Sequence, residues 1–412
     1  MGNLFKIAVR NLLRYKRRTL LTASLITIGV VFVLVFVSVS ASFKGMMIGQ
    51  ITDSMLGHIQ IHRDGYVASI ENLPLGLNLS LDDMRQVEEI LGKHPEIEAY
   101  SMRIKFGGGI SNFVETTNIR LNGVLPEKEF RTVPLLPSRI VNGEKHINQG
   151  EIIIPELLSK GMNINMGDTV VVVATNKDGS VNGKQFKVAG IIKSVVGPGG
   201  RDGYIHLNDA VELLRMEKME ISEVAVRLKD FGSLREIYER LGILFKKGTG
   251  IQDKAMFEVH TWEDLSPFFS ISKMIDLLTF FIKLMLIAIV LISIMNVMIM
   301  AVFERVREIG TIAAIGTLPH KILSMFIIEG LCLGITGVFI GNIAGAAIVF
   351  ILNLLKITFT FGQQKDLLLY ASIKPNDILV ISITVIIVSV IASLQPAFKA
   401  SKMEPIEALR HV

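Results

Sequence analysis

Between Arg18 and Lys44 lies TLLTASLITIGVVFVLVFVSVSASF (residues 19–43), twenty-five residues without a charge. About 20 apolar residues cross a bilayer core as a helix, so this stretch reads as a membrane span. Three more runs follow the same rule. Leu284 to Phe303 lies between Lys283 and Glu304, Gly330 to Leu355 between Glu329 and Lys356, and Ile378 to Phe398 between Asp377 and Lys399. A buried helix of a soluble protein imitates one such run, but hardly four. Over the 412 residues, half are hydrophobic and the mean hydropathy is +0.49, which argues against a wholly soluble enzyme.

The flanks give an orientation. Residues 1–19 carry Lys6, Arg10, Arg14, Lys16, Arg17 and Arg18 with no acid. Short cytoplasmic segments collect Lys and Arg, so the N-terminus is expected inside. Four spans return the C-terminus to the same side, where Lys399, Lys402 and Arg410 agree. The expected organisation is a basic cytoplasmic segment (1–19), span 1 (20–43) and an extracytoplasmic domain with stalk extensions (44–270). A stalk and span 2 (271–303), a cytoplasmic loop (304–321) and span 3 (322–355) follow. A short external loop (356–377), span 4 (378–398) and a cytoplasmic tail (399–412) complete it. A cleaved signal peptide ending near Ser40-Ala41-Ser42 is the competing reading. The uncharged run is long for one, so the first span is expected to be retained.

The net charge of +5 and pI near 9.1 first suggest nucleic acid. Residues 1–19 contribute +6, the 303–321 loop +1 and the tail from Lys399 +1; everything else sums to −3. The basic balance therefore records orientation, and with one Trp and few aromatics no nucleic-acid partner is expected.

Residues 44–282 hold 27 Lys and Arg against 31 Asp and Glu and have an α+β texture. The fold class expected is thus an α-helical membrane protein with four transmembrane helices and a large extracytoplasmic α+β domain between the first two. Strands are predicted at His58–His62, Ile97–Ile104, Asn118–Gly123, Thr169–Ala174, Phe186–Ile192, Tyr204–Leu207 and Val224–Leu228, from β-branched content or alternation. Helices are predicted over Leu81–Leu91, capped by Ser80 with Asp83 three residues on, and over Leu234–Leu241. Turns are expected at Asp178-Gly179, Asn182-Gly183 and Gly197-Pro198-Gly199-Gly200. The domain is long enough for a sizeable core, arranged as two subdomains.

At its edges, Val39, Phe43, Met47, Ile51 and Met55 recur every four residues, and Phe268, Ile271, Ile275, Leu278 and Ile282 every three or four. Both series fit helices that continue past the membrane, the first rising about 25 Å. The two stripes either pack on each other or line an apolar path for a substrate.

Catalytic signatures are missing. No Gly-rich turn of Walker spacing ends in Lys-Ser or Lys-Thr, and neither H-E-x-x-H nor G-x-S-x-G occurs. His58 and His62 sit on a strand, about 13 Å apart, too far to share a metal. The single Cys332 excludes an intrachain disulfide and a Cys metal cluster. Asn296, polar at mid-span, reads as a helix–helix hydrogen bond rather than catalysis. No catalytic residue, metal site or bound cofactor is expected on this chain, and any ATP hydrolysis must come from another one.

The loop Glu304-Arg305-Val306-Arg307-Glu308-Ile309-Gly310 is dense in both charges. Arginines alone would anchor it at the interface. The two Glu residues contribute nothing to topology, and the alternation fits a short amphipathic helix docking in a groove on a soluble partner.

ERVREIGTIAAIGT (304–317) resembles the E-R-x-R-E-I-G-x-x-R-A-I-G-A signature of FtsX-like ABC transporter permeases. FIIEGLCLGITGVFIG (326–341) resembles the start of that family's third span. QPAFKASKMEPIEALR (395–410) is similar to its C-terminal ending. FKIAVRNLLRYKRRTLLT (5–22) and GHIQIH (57–62) fit its long-ectodomain branch, which has a MacB-like periplasmic core domain and includes the lipoprotein-releasing LolC and LolE permeases and the efflux permease MacB.

That resemblance implies mechanotransmission. Two permeases, identical or different, would bind two cytoplasmic ABC ATPase subunits carrying ATP and Mg, and pass their closure to the outer domain. Glu304, Arg305, Arg307, Glu308, Ile309 and Gly310 would form the ATPase-coupling helix. Phe43, Met47, Ile51, Met55, Ile271, Ile275 and Leu278 would serve as stalk or substrate path. Gly337, Gly341 and Gly345, four residues apart, would give a smooth helix-packing face. Glu329 is a further candidate, pairing with the loop arginines or snorkelling to water. The family commonly has Arg where Ala313 stands here, which removes a cation from the partner surface and leaves Arg305 and Arg307 to carry the pairing. The implied place is the bacterial inner membrane. The implied cargo is a lipoprotein or another amphiphile taken from the outer leaflet and handed to a periplasmic acceptor. MacB-like efflux of peptides or drugs and FtsX-like regulation of a cell-wall hydrolase are the alternatives.

Overall fold

The computed structural model describes residues 6, 10, 11, 14–143, 146–194, 202–247, 256–361 and 364–404. The expected Gly197–Gly200 turn, most of the 1–13 segment and the ending from residue 405, Arg410 included, lie outside the described residues. The chain divides into two compact units, one of residues 1–44, 272–357 and 368–412, the other of 45–271 with 358–367.

The first unit is helical. Among the described residues, four helices are long and apolar enough to cross a membrane. They are α1 (Lys16–Ile51), which enters a π-helical turn at Thr52–Leu56, and three others labelled in chain order below. Inside this unit Ile26, Val30 and Leu34 of α1 are buried with Leu286, Val290, Ile294, Phe326, Leu333, Val385 and Val388.

The second unit is built on one sheet. Its strands are β1 (Ile59–Arg63), β2 (Ile97–Ser111), β3 (Thr116–Val124), β4 (Ile140–Gly143), β5 (Glu151–Pro155), β6 (Thr169–Thr175), β7 (Val181–Ile192), β8 (Asp202–His206), β9 (Glu223–Leu228) and β10 (Phe257–Thr261). Their order is β10-β1-β9-β2-β3-β8-β5-β7-β4, with β6 joining β2 to β7. All seven predicted strands form, most of them longer than their patterns. Pairing is antiparallel except β3 with β8 and β5 with β7. The fifteen-residue β2 holds the sheet together, pairing β9 along its first half and β3 and β6 beyond. At Gly108 a Cβ would meet the Val173 carbonyl oxygen at 2.6 Å, so only glycine admits β6 that close. The two expected subdomains are two apolar clusters on one continuous sheet, a large one around Ile59, Phe106, Val172 and Phe186 and a small one around Val133, Leu136 and Tyr204.

Helix α2 (Leu81–Gly92) begins on a complete capping box. The Ser80 hydroxyl accepts from the Asp83 amide, and the Asp83 carboxylate accepts from the Ser80 amide. Helix α3 (Leu234–Lys247) continues well past its predicted end. The remaining long helices are α4 (Phe268–Glu304), α6 (Pro319–Leu354) and α7 (Pro375–Ser401), with the short α5 (Val306–Ala314) between α4 and α6. A small hairpin, Thr358–Phe361 with Gln364–Leu368, separates α6 from α7.

Candidate functional site

The charged loop takes its shape from one inward-facing residue. Helix α4 stops at Glu304, and Arg305, at φ −114° and ψ 17°, turns the chain into α5. Arg305 is only 2% exposed. Its Nη1 donates to Glu329 Oε1 at 2.9 Å, and its guanidinium lies 4.7 Å from the Tyr15 ring centroid. Glu329 is buried too, and the same oxygen accepts from Asn11 Nδ2 at 2.8 Å. A buried charge is tolerated when paired and hydrogen-bonded, and this cluster ties the residues before α1, the start of α5 and the first third of α6 at one point.

Arg305 therefore leaves the partner-facing set. Sequence reasoning placed it outward with Arg307, whereas the kink at the α4 terminus rotates it into the bundle. Ile309 and Gly310 are buried as well, forming the inner side of α5. Ala313 packs against the bundle's apolar cluster, so the missing family cation is not a loss from the exposed face of this chain. The exposed side of α5 carries Arg307, Glu308, Thr311 and Ile312, with Glu304 just before it and Ile315, 81% exposed, just after. Arg14 Nη1 reaches Glu308 Oε1 at 3.2 Å on that surface. Asn11, Tyr15 and the exposed Ile312 and Ile315 are the parts sequence reasoning missed. The apolar spacing of Ile312, Ile315 and Leu318 was the available signal.

The predicted glycine row packs on α1. A Cβ at Gly337 would meet Ile26 Cγ2 at 2.5 Å, at Gly341 Val30 Cβ at 2.7 Å, and at Gly345 Leu34 Cδ2 at 2.6 Å. A second pair, Gly330 and Gly334, faces Ser393 and Ser389 of α7 in the same way. The five glycines lie within about 80° of one another around the helix, so α6 is smooth along one side, which meets α7 first and α1 further along.

The stripe residues separate. Met47 and Ile51 are buried in the core of the inter-span domain, and Met55 and Ile271 pack on that core half-buried. Among the described residues, the domain's own side chains cover Met47 and Ile51. Phe43 and Ile275 are half-buried, while Leu278 is exposed. Near Phe43, Lys44 Nζ meets Asp276 Oδ2 at 2.6 Å, pinning α1 to α4. Ile51 and Met55 border a cavity of about 120 Å³ whose other walls include Phe268, Lys105, Arg120 and Asp202.

The domain's buried charges form a structural network. Glu223, fully buried, is reached by Arg103 at 2.8 Å, Lys105 at 3.1 Å and His62 at 3.6 Å, and Arg103 also pairs Glu129 at 2.8 Å. Burial opposes ionisation of Glu223, but Lys105, the nearby His62 imidazole and Arg103 outweigh it and hold the carboxyl well below its ordinary range. Burial pushes the His62 imidazole below its ordinary value, against the pull of Glu223. His58 Nδ1 accepts from the Leu228 amide at 3.0 Å. Both histidines are thus built into the domain's own frame.

Four spans, a long α+β domain after the first and a short charged helix after the second define a multi-pass permease-type membrane protein. Residues 19–242 match the MacB-like periplasmic core domain, and residues 280–405 match the FtsX-like permease C-terminal domain. The chain belongs to the FtsX-like permeases with a MacB-type periplasmic domain, and is an ABC transporter permease of LolC/MacB type. It is 23% identical over 410 residues to the lipoprotein-releasing system transmembrane protein LolC of Neisseria meningitidis, covering 95% of this chain and 94% of that one. It is also 23% identical over 420 residues to the macrolide export ATP-binding/permease protein MacB of Campylobacter jejuni, covering 98% of this chain but 61% of that longer protein. The crystal structure of the periplasmic region of MacB from Actinobacillus actinomycetemcomitans aligns over 51% of this chain and 92% of its own, at TM-score 0.35 and 14% identity.

Proposed function

We propose that this chain is the permease subunit of a mechanotransmission ABC transporter, powered by a separate ATPase subunit that binds ATP and Mg. It draws lipoproteins, or another amphiphile, from the outer leaflet of the bacterial inner membrane and passes them to a periplasmic acceptor. In this reading both termini and α5 are cytoplasmic, and the inter-span domain is periplasmic. Two permeases work together, with two ATPases beneath them.

The observation that carries the reading is the construction of α5. Its inner side is held by the buried Arg305–Glu329 pair, so a push on its outer side is borne by the bundle. That outer side offers Glu304, Arg307, Glu308, Ile312 and Ile315 to a partner. Helix α4, which α5 follows, runs unbroken for 37 residues, about 55 Å, back to Phe268 beside the domain core. A continuous helix of that length passes displacement from one end to the other.

Co-purification from native membranes tests the first half, with a Walker-type ATPase expected to accompany the chain. Exchanging Glu304 and Glu308 for glutamine in that complex should leave membrane insertion intact while ATP hydrolysis no longer drives cargo release. Full transport by the double variant would refute the coupling assignment. Photo-crosslinking from Leu278 or Ile275 should capture acylated protein. Capture of a soluble peptide or drug would favour MacB-like efflux, which the near-complete alignment to the C. jejuni MacB supports as the second reading.

A further inference from the structure

One face of the domain's sheet is polar, and part of it borders a cavity. The strand registers set Lys105 of β2 beside Asn122 of β3, and Arg120 of β3 beside Asp202 of β8. Side chains alternate along a strand, so these four share a face with Arg103 and Glu223. Arg103 and Glu223 are sealed into the buried network, whereas the other four line the cavity of about 120 Å³. The rest of its lining is mostly apolar. It includes Ile51, which closes α1, Met55, and Phe268, which opens α4.

A polar group out of water is costly unless it is partnered, and these are partnered unequally. Lys105 Nζ meets Glu223 Oε2 at 3.1 Å. Arg120 Nη2 meets Glu71 Oε2 at 3.0 Å, but the Glu71 side chain is 75% exposed, and a pair of that kind is weak and readily exchanged. Asp202 has no ion pair among the described residues, and its Oδ1 is buried without a hydrogen bond from them. Burial pushes the Asp202 carboxyl above its ordinary value, although Lys105 and Arg120 pull the other way. The cavity therefore combines a carboxylate short of a cation, an arginine free to take another anion, and an apolar wall.

A ligand that answers this lining carries an ammonium group, a nearby anion and an apolar body. Phosphoethanolamine supplies the first two, and the acyl chains of its lipid supply the third. A choline headgroup has the same charges but no N–H to donate. The volume suits a headgroup rather than a whole lipid, since pockets that enclose drug-sized molecules run to about 300–1,000 Å³.

We propose that this cavity binds the phosphoethanolamine headgroup of a phospholipid, with its ammonium on Asp202, its phosphate on Arg120 and its chains leaving along Met55 and Phe268. The assignment rests on the proposed placement of this domain at the outer leaflet, and it names one class of amphiphile met there.

Full-length chain in detergent tests it, given equimolar phosphatidylethanolamine and phosphatidylcholine with identical acyl chains and read by native mass spectrometry. The wild type should retain the ethanolamine lipid about tenfold over the choline lipid, the effect of one hydrogen bond to a charged group. Asp202→Asn should lower that ratio severalfold, and Arg120→Gln should lower retention of both lipids. Equal retention of the two lipids by the wild type overturns the site, and that comparison stands even if Asp202→Asn fails to fold. A preference unchanged in Asp202→Asn puts the lipid elsewhere and overturns it too. Displacement of the lipid by an equal concentration of free phosphoethanolamine overturns the lipid as the source of the headgroup. The measurement needs no ATPase. Loss of the preference sinks this site alone, and a preferred lipid on a chain that no ATPase accompanies sinks the transporter reading alone.

Discussion

The helical bundle and the inter-span domain both bury charge, yet they are held together differently. In the domain, large side chains such as Ile59, Phe106, Val172 and Phe186 leave water, and each contributes about 1.5–3 kcal/mol by doing so. In the bundle that drive is weak, because lipid tails are as apolar as leucine. There the contacts are made by Gly330, Gly334, Gly337, Gly341 and Gly345, which let backbones approach closely. The buried ions differ accordingly. Glu223 is enclosed by three cationic or titratable partners at the centre of a sheet. The Arg305–Glu329 pair stands at a turn, where three segments meet. The first is internal framing; the second is a joint.

The largest expected effect breaks the frame. Glu223→Gln leaves the buried Arg103 and the half-buried Lys105 without their shared anion and should cost about 3–5 kcal/mol, read as a lowered unfolding midpoint of the full chain in detergent. Its pH dependence follows from the same group. The folded-state pKa lies below the ordinary 4.5, so its stabilisation is complete above that value and is lost as pH falls through the folded pKa. The wild type should therefore lose stability below about pH 4.5 more steeply than the glutamine variant. Parallel acid profiles would show that Glu223 is not the group responsible.

Glu329→Gln tests the joint. It should cost up to about 3 kcal/mol, nearer the low end because Asn11 can still bond the amide. ATPase coupling should fall with it, whereas Glu223→Gln should leave coupling intact in the surviving folded fraction. Equal effects of the two on coupling would erase the distinction between frame and joint. Gly341→Leu should cost about 1–3 kcal/mol by overpacking Val30, measured as reduced thermal stability. Arg14→Ala removes a solvent-exposed pair with Glu308 and should change stability by at most about 1 kcal/mol. A larger loss would mean that this surface is less open than its exposure indicates.

Hydrophobic runs and β-branched alternation were enough to read the four spans and seven of the ten main strands. The missed strands explain themselves. In β5, Ile152, Ile153 and Ile154 are all buried, with β7 parallel on one side and β8 antiparallel on the other, so no alternation marks the segment. Four-residue β4 is too short to show a period. Span 3 is expected over 322–355, around an uncharged run that begins only at Gly330, and α6 starts three residues earlier at Pro319, whose ring suits a helix's first turn. The site was half legible. Composition singled out the 304–317 loop, and the glycine spacing singled out one face of α6. Arg305 turning inward was not readable, because periodicity assumes one continuous helix and the chain bends at that residue.

Ile26, Val30 and Leu34 on α1 and Gly337, Gly341 and Gly345 on α6 share one four-residue interval. Protrusions and gaps of equal spacing behave as a rack and its track. Moving α1 along α6 by one interval, about 6 Å, would seat Ile26 over Gly341 and Val30 over Gly345, giving up a single contact at the end of the row.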